Sequence, residues 1–152
     1  MARGNGYTII EIMIVIVVLA TLAAIVVPQM GGAQNTSTIA ALKRQFQFID
    51  SQVELYRTQN GERFPTQDPD DPLSEGGANS GWGVMVSEGY LPEEPLNPFN
   101  MRSLLVEGTS DDAKDLGREV PEGWFFQVVG DNERLDFFAA GYDAATDSLS
   151  TD

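Results

Sequence analysis

One carboxylate, Glu11, stands inside a run that is otherwise almost entirely apolar, IIEIMIVIVVLATLAAIVV at residues 9–27. An ionised carboxylate in an apolar medium is costly unless a cation neutralises it. Glu11 therefore points to a specific partner, or to a helix start where the backbone dipole favours negative charge. Other chemistry-bearing residues are in short supply. Histidine and cysteine are both absent. Their absence removes the commonest general base, the Ser-His-Asp arrangement, disulfides, and thiolate or imidazole metal sites. Asp68, Asp70 and Asp71 stand among prolines and lack the alternating ligands and sixth-position glycine of an EF-hand loop, so they read as a solvated turn. No nucleophile is paired with a base at a recognisable spacing, and the chain is not expected to be an enzyme.

The element that must position Glu11 is a helix. At about 1.5 Å per residue, roughly 20 helical residues cross a hydrocarbon core of about 30 Å, so residues 7–28 are long enough to span a membrane. Ala20, Ala23 and Ala24 permit close approach of neighbouring helices. Pro28 removes a backbone donor, and Gly31 and Gly32 weaken helix further, so a bend or local melting is expected between residues 27 and 34. Arg3 is the only charge in residues 1–6 and favours a cytoplasmic N-terminus. The small residue Gly6 precedes the apolar run, whereas a secretory signal places its cleavage site after it.

Beyond residue 34 helix is expected to resume. Ile39, Leu42, Phe46, Ile49, Val53 and Tyr56 recur at alternating spacings of three and four, with Lys43, Arg44, Gln47, Asp50, Glu54 and Arg57 on the other faces. The seam covers fewer than three heptads, which favours packing on the chain's own head over a coiled coil. Asn60-Gly61 is a stop signal. Residues 60–100 are rich in proline and glycine and read as a long connection with at most one short helix, near residues 82–88, anchored by Trp82, Val84, Met85 and Tyr90. Residues 101–106 form a possible strand, and 109–121 a loop or single helical turn. Residues 123–129 and 134–140 form a hairpin, in which Trp124, Phe126 and Val128 alternate with Phe125, Gln127 and Val129. Residues 141–152 read as an acidic tail.

Charge is divided unevenly. Residues 1–59 carry four bases against three acids, and residues 60–152 carry five bases against 20 acids. Such an acidic head repels nucleic acid and anionic lipid, so no nucleic-acid partner is expected. The fold class is α+β: a long N-terminal helix packed on a small antiparallel sheet. The expected segments are a leader at 1–6, a membrane-spanning or filament-core helix at 7–28, an amphipathic half at 29–59, a variable connection at 60–100, and a C-terminal sheet and acidic tail at 101–152.

The segment GYTIIE at residues 6–11, the apolar run and Pro28 together resemble the N-terminus of type IV pilins and of the pseudopilins of type II secretion. The usual pattern there is glycine, phenylalanine, threonine, two apolar residues and glutamate, and Tyr7 is a conservative departure from it. The resemblance implies cleavage after Gly6 by a dedicated membrane peptidase and N-methylation of Tyr7. Glu11 and Pro28 then both fall in the family's register. More loosely, NGERFP at residues 60–65 and the residues from Gly89 to Pro98 are similar to the region after the long helix in major pseudopilins. Those proteins usually carry Asp-Pro-Trp-Gly, where this chain has Asn97-Pro98-Phe99-Asn100. LDFFAAGYD at residues 135–143 is similar to the family's last strand and acidic loop, which binds calcium in some members. Calcium is therefore the one cofactor candidate, with Asp143, Asp147 and Asp136 as ligands; otherwise no cofactor is expected.

The resemblance implies a filament subunit held first as a single pass in the inner membrane, with its N-terminus cytoplasmic and its head periplasmic. Its implied partners are membrane lipid before assembly, the prepilin peptidase, an inner-membrane assembly platform, minor pseudopilins and, in the helical filament, copies of itself. Glu11 pairs in this picture with the Tyr7 amine of an adjacent subunit. The alternatives are a true type IV pilin for adhesion or motility and an anchored binding domain that never polymerises.

Overall fold

The computed structural model describes residues 8–130 and 134–150, and the side chains of residues 25–33 lie outside that description. Two compact units divide the chain, Met1–Thr36 and Ser37–Asp152. The first helix, α1, runs Ile9–Gln59. Its backbone stays helical through Pro28, Gly31 and Gly32, so the melting expected at residues 27–34 does not occur. Proline holds φ near −65°, itself a helical value, and its missing donor weakens one turn without ending the element. The helix closes as the Asn60-Gly61 signal requires. Gly61 has φ 67° and the Glu62 N–H donates to the Arg57 carbonyl at 2.8 Å, a left-handed cap that only glycine adopts without steric cost. Among the described residues no helix is long and apolar enough to cross a membrane. The expected span extends to residues 25–27, whose side chains lie outside the description.

The head packs on the second half of α1 along the expected seam. Leu42, Ile49, Val53 and Tyr56 are buried, and Ile39 and Phe46 are partly covered. Against them lies a sheet of three strands in the order β1 (Leu104–Glu107), β2 (Glu122–Val129), β3 (Arg134–Ala139). The expected β2–β3 hairpin is present and antiparallel, with Trp124 opposite Ala139 and Phe126 opposite Phe137. The expected small antiparallel sheet is present as β2–β3, and β1 adds to it in parallel. Parallel neighbours need a crossover. The stretch between β1 and β2 supplies it and contains a short helix, α3 (Ser110–Lys114).

The two faces of β2 serve two clusters. Trp124 and Phe126 join the main core, where Trp82 stacks on Phe137 at 5.8 Å and meets Trp124 edge-on at 6.2 Å. Phe125 turns to a smaller cluster with Ala113 of α3 and Ala140. The β1–β2 register shifts between Leu104 and Leu105, opposite Gly123. A Cβ on Gly123 would lie 2.1 Å from the Arg102 carbonyl oxygen, so this irregularity depends on glycine.

The long connection contains two 3₁₀ turns, Pro65–Gln67 and Asn79–Gly81, and one short helix, α2 (Val84–Ser87), within the stretch where one was expected. Trp82, Val84 and Met85 are its buried anchors, and Tyr90 is partly buried. Asp68 is more than a solvated turn. It accepts the Tyr56 hydroxyl at 2.7 Å and the N–H groups of Asp70 and Asp71 at 3.0 and 2.9 Å, fastening the connection to α1. The stretch expected as an acidic tail instead forms a small hairpin, β4 (Tyr142–Asp143) with β5 (Ser148–Leu149). Tyr142 and Leu149 are buried in the main core, and burial of these two side chains helps hold the hairpin down.

Candidate functional site

Glu11 lies in the first turn of α1, and its geometry is local. Thr8 stands immediately before the helix. Its N–H and hydroxyl both donate to Glu11 Oε2, at 2.8 and 2.9 Å, and the Glu11 N–H donates to Thr8 Oγ1 at 3.3 Å. This reciprocal arrangement is a capping box, with threonine as N-cap and glutamate three residues on. It satisfies backbone donors that the first helical turn leaves unpaired. The signature Thr-x-x-Glu before an apolar run was readable at residues 8–11 and is the signal that reasoning about Glu11's charge alone passes over. Gly6 and Tyr7 lie outside the described residues. Pro28 lies within helical backbone.

Around Glu11 the helix has no covered face. Every described residue from Thr8 to Ala24 is exposed, and each large apolar side chain from Ile9 to Leu22 is half exposed or more. A helix apolar on all sides needs lipid or protein around it.

The three acidic candidates for calcium are not assembled into one site. Asp136 sits on β3 with Arg134 at 2.6 Å. Asp136 and Asp143 line one cleft of about 680 Å³ beside Phe46, Lys114 and Tyr142, and Asp147 is not part of that lining. Asp143 accepts from the Ala145 N–H and the Thr146 hydroxyl, both at 2.8 Å. These bonds, the hydroxyl's foremost, hold its carboxyl below the usual range. Asp147 accepts from Lys43 at 2.7 Å and from the Tyr142 hydroxyl at 2.9 Å, and its carboxyl is likewise held low, first by Lys43. The Tyr142 phenol is pushed up to about 12, first by burial and then by Asp147. Among the described residues no three acids converge in a group able to hold a metal. The donor set as placed does not fit a calcium ion, which takes six to eight oxygens.

Asn97, in sequence only part of the Asn97-Pro98-Phe99-Asn100 departure, is the polar centre of the head. It is fully buried. Its amide donates to the carbonyls of Gly123 and Ala140 at 2.8 and 3.0 Å, and its Oδ1 accepts from the Phe99 N–H at 2.8 Å. It joins the connection to β2 and to the end of β3, a positioning task that requires a buried side chain able both to donate and to accept. Nothing in Leu96-Asn97-Pro98 marks it from sequence as buried.

Comparison with known proteins bears on this helix and head together. Residues 1–27 match the family model described as the prokaryotic N-terminal methylation motif. A type II secretion system core protein G from Klebsiella pneumoniae is 32% identical over 81% of this chain and 89% of its own length. The protein of the same name from Pseudomonas aeruginosa is 30% identical over 80% of this chain and 88% of its own. The one from Dickeya chrysanthemi is 28% identical over 96% and 82%. No solved structure matches.

Proposed function

The chain belongs to the type II secretion system core protein G family, and we propose that it serves as that system's pseudopilin, a filament subunit whose exposed apolar helix lies first in the inner membrane and then in the filament core. The observation that carries this reading is the contrast within α1. From Ile9 to Leu22 every large apolar side chain is exposed, while the head buries most of its own and leaves only Phe48, Leu55, Leu96 and Met101 exposed among its described residues. An exposed surface of this kind is covered by lipid before assembly and by other copies afterwards.

In this reading the membrane peptidase cuts between Gly6 and Tyr7 and methylates the new Tyr7 amine. Glu11 then has two tasks. Oε2 serves the cap of its own helix, and the net charge of the carboxylate neutralises the Tyr7 amine of a neighbouring subunit. Neither charge is stable alone among apolar side chains, so the pair sets the register as subunits leave the bilayer. Pro28 softens the helix beyond the membrane-embedded part, so that packed subunits can adjust.

The two tasks can be separated by substitution. Glutamine also serves at the third position of a capping box, so Glu11→Gln keeps the cap and removes the charge. Thr8→Ala does the reverse, losing the cap at about 1 kcal/mol while keeping the carboxylate. The expectation is that Glu11→Gln and Glu11→Ala are inserted, cleaved and methylated but form no filaments, whereas Thr8→Ala still assembles. Normal filaments from Glu11→Gln overturn the pairing. The mass of the mature chain tests the rest: it should begin at methylated Tyr7, and an intact N-terminus instead marks a plain anchor.

A further inference from the structure

A calcium ion at the last acidic loop, as the family resemblance implies, would fasten the C-terminal segment to the head. We infer that in this chain the Lys43 ammonium of α1 performs that task, so that the β4–β5 hairpin is closed by an internal ion pair and not by a metal ion. The argument rests on where each oxygen goes. Asp147 Oδ2 receives Lys43 Nζ at 2.7 Å and Oδ1 receives the Tyr142 hydroxyl at 2.9 Å. Asp143 Oδ1 receives the Ala145 N–H and Oδ2 the Thr146 hydroxyl, both at 2.8 Å. All four carboxylate oxygens of the turn therefore face donors of the chain itself. The third candidate, Asp136, is turned to Arg134. A divalent ion binding Asp147 would have to displace the Lys43 ammonium, whose positive charge already occupies that carboxylate.

The pair is also placed to do what a metal would do. Lys43 and Asp147 are 104 residues apart, so their contact ties the C-terminal hairpin to α1 across almost the whole head. Asp147 has φ 53°, a left-handed conformation that aspartate and asparagine tolerate better than most residues, and this conformation belongs to the turn from which its carboxylate reaches Lys43. Lys43 is one of nine bases in a chain of 23 acids, and it pairs in the most acidic third of the sequence. Both partners are about half exposed, at 51% and 54%, so the effect is that of a surface pair, small but measurable.

The test uses the full processed chain in detergent, with thermal unfolding followed in EDTA and in about 5 mM CaCl2, above the range of weak extracellular calcium modules. The wild-type Tm is expected to be the same in both. In EDTA, Lys43→Met and Asp147→Asn are each expected to lower Tm by about 2 °C, and the double variant by no more than either alone, as two partners of one contact should. A wild-type Tm that rises in CaCl2 overturns the inference. So does a Lys43→Met Tm unchanged in EDTA, or a double variant whose loss is the sum of the singles. Should either variant fail to fold, the wild-type comparison of EDTA with CaCl2 still decides.

Discussion

From Ile9 to Ala24 α1 exposes every side chain; from Ile39 to Tyr56 it buries one face and turns lysine, arginine and glutamate outward. The backbone is helical in both halves, so secondary structure does not distinguish them. The distribution of apolar residues around the axis does. A three-and-four spacing leaves one stripe, which a single sheet can cover. An all-round apolar surface cannot be covered by one partner, and its natural surroundings are lipid or several helices. The same local device opens helices in both units. Thr8 and Glu11 at the start of α1 match Thr109 and Asp112 at the start of α3, where the Asp112 carboxylate accepts the Thr109 N–H and hydroxyl at 2.8 and 2.7 Å. Capping chemistry is thus indifferent to whether a helix later meets a sheet, a bilayer or another subunit.

The sharpest way to break the comparison is to truncate an apolar side chain in each region. Trp124 is fully buried, packs edge-on to Phe46 at 5.5 Å and donates from Nε1 to the Pro95 carbonyl at 2.8 Å. Trp124→Ala should cost about 3–5 kcal/mol and leave the head largely unfolded at growth temperature. Val17→Ala should leave the thermal unfolding of the head unchanged, because Val17 is more than half exposed and its truncation opens no cavity; a calorimetric scan of the two variants decides.

The two capping boxes give the next contrast. Thr8→Ala and Thr109→Ala each remove about 1 kcal/mol of local helix stability. Only the second should move the Tm of the head, since α3 holds Ala113 in the cluster around Phe125. Hydrogen exchange should show Thr8→Ala fraying the first turn of α1 alone.

The smallest effect is on pH dependence. The Asp71 N–H first, and then the Tyr56 hydroxyl, hold the Asp68 carboxyl below its ordinary value of 3.8. A depressed folded value means stability that is present above the ordinary value and lost as pH falls through the lower one. Wild type should therefore lose Tm on this account only below about pH 4. Asp68→Asn should begin slightly lower at neutral pH and show a shallower acid decline. A parallel decline in the two proteins would remove Asp68 from the account.

Much of the head was legible in sequence because its signals are periodic. The helix seam, the 123–129 and 134–140 hairpin, and the short helix near Trp82 all emerged where spacing and turn residues put them. Three features escaped. The parallel placement of β1 depends on how the chain crosses over between Glu107 and Glu122, and four residues of strand carry no direction in their pattern. The β4–β5 hairpin looked like a tail because its strands are two residues each and depend on burying Tyr142 and Leu149 in a core assembled from elsewhere. Asn97 is polar in a polar-looking loop, and only burial reveals it as a joint. At residues 8–11 the charge of Glu11 is the conspicuous feature and its capping geometry the quieter one, although Thr-x-x-Glu is as local a signal as any in the chain.

By itself the sequence carries the N-terminal methylation motif and the long apolar run that follows Gly6. The roles proposed for Gly6, Tyr7, Glu11 and Pro28 rest on their spacing along the chain, which is a property of sequence alone. The tertiary structure decided what becomes of the acids. Asp68 became a link to Tyr56, and Asp147 a partner of Lys43 on α1. A carboxylate's role depends on which cation or donor comes within about 3 Å of it. For Lys43 and Asp147 that neighbour is 104 residues away, so only the folded head could supply it.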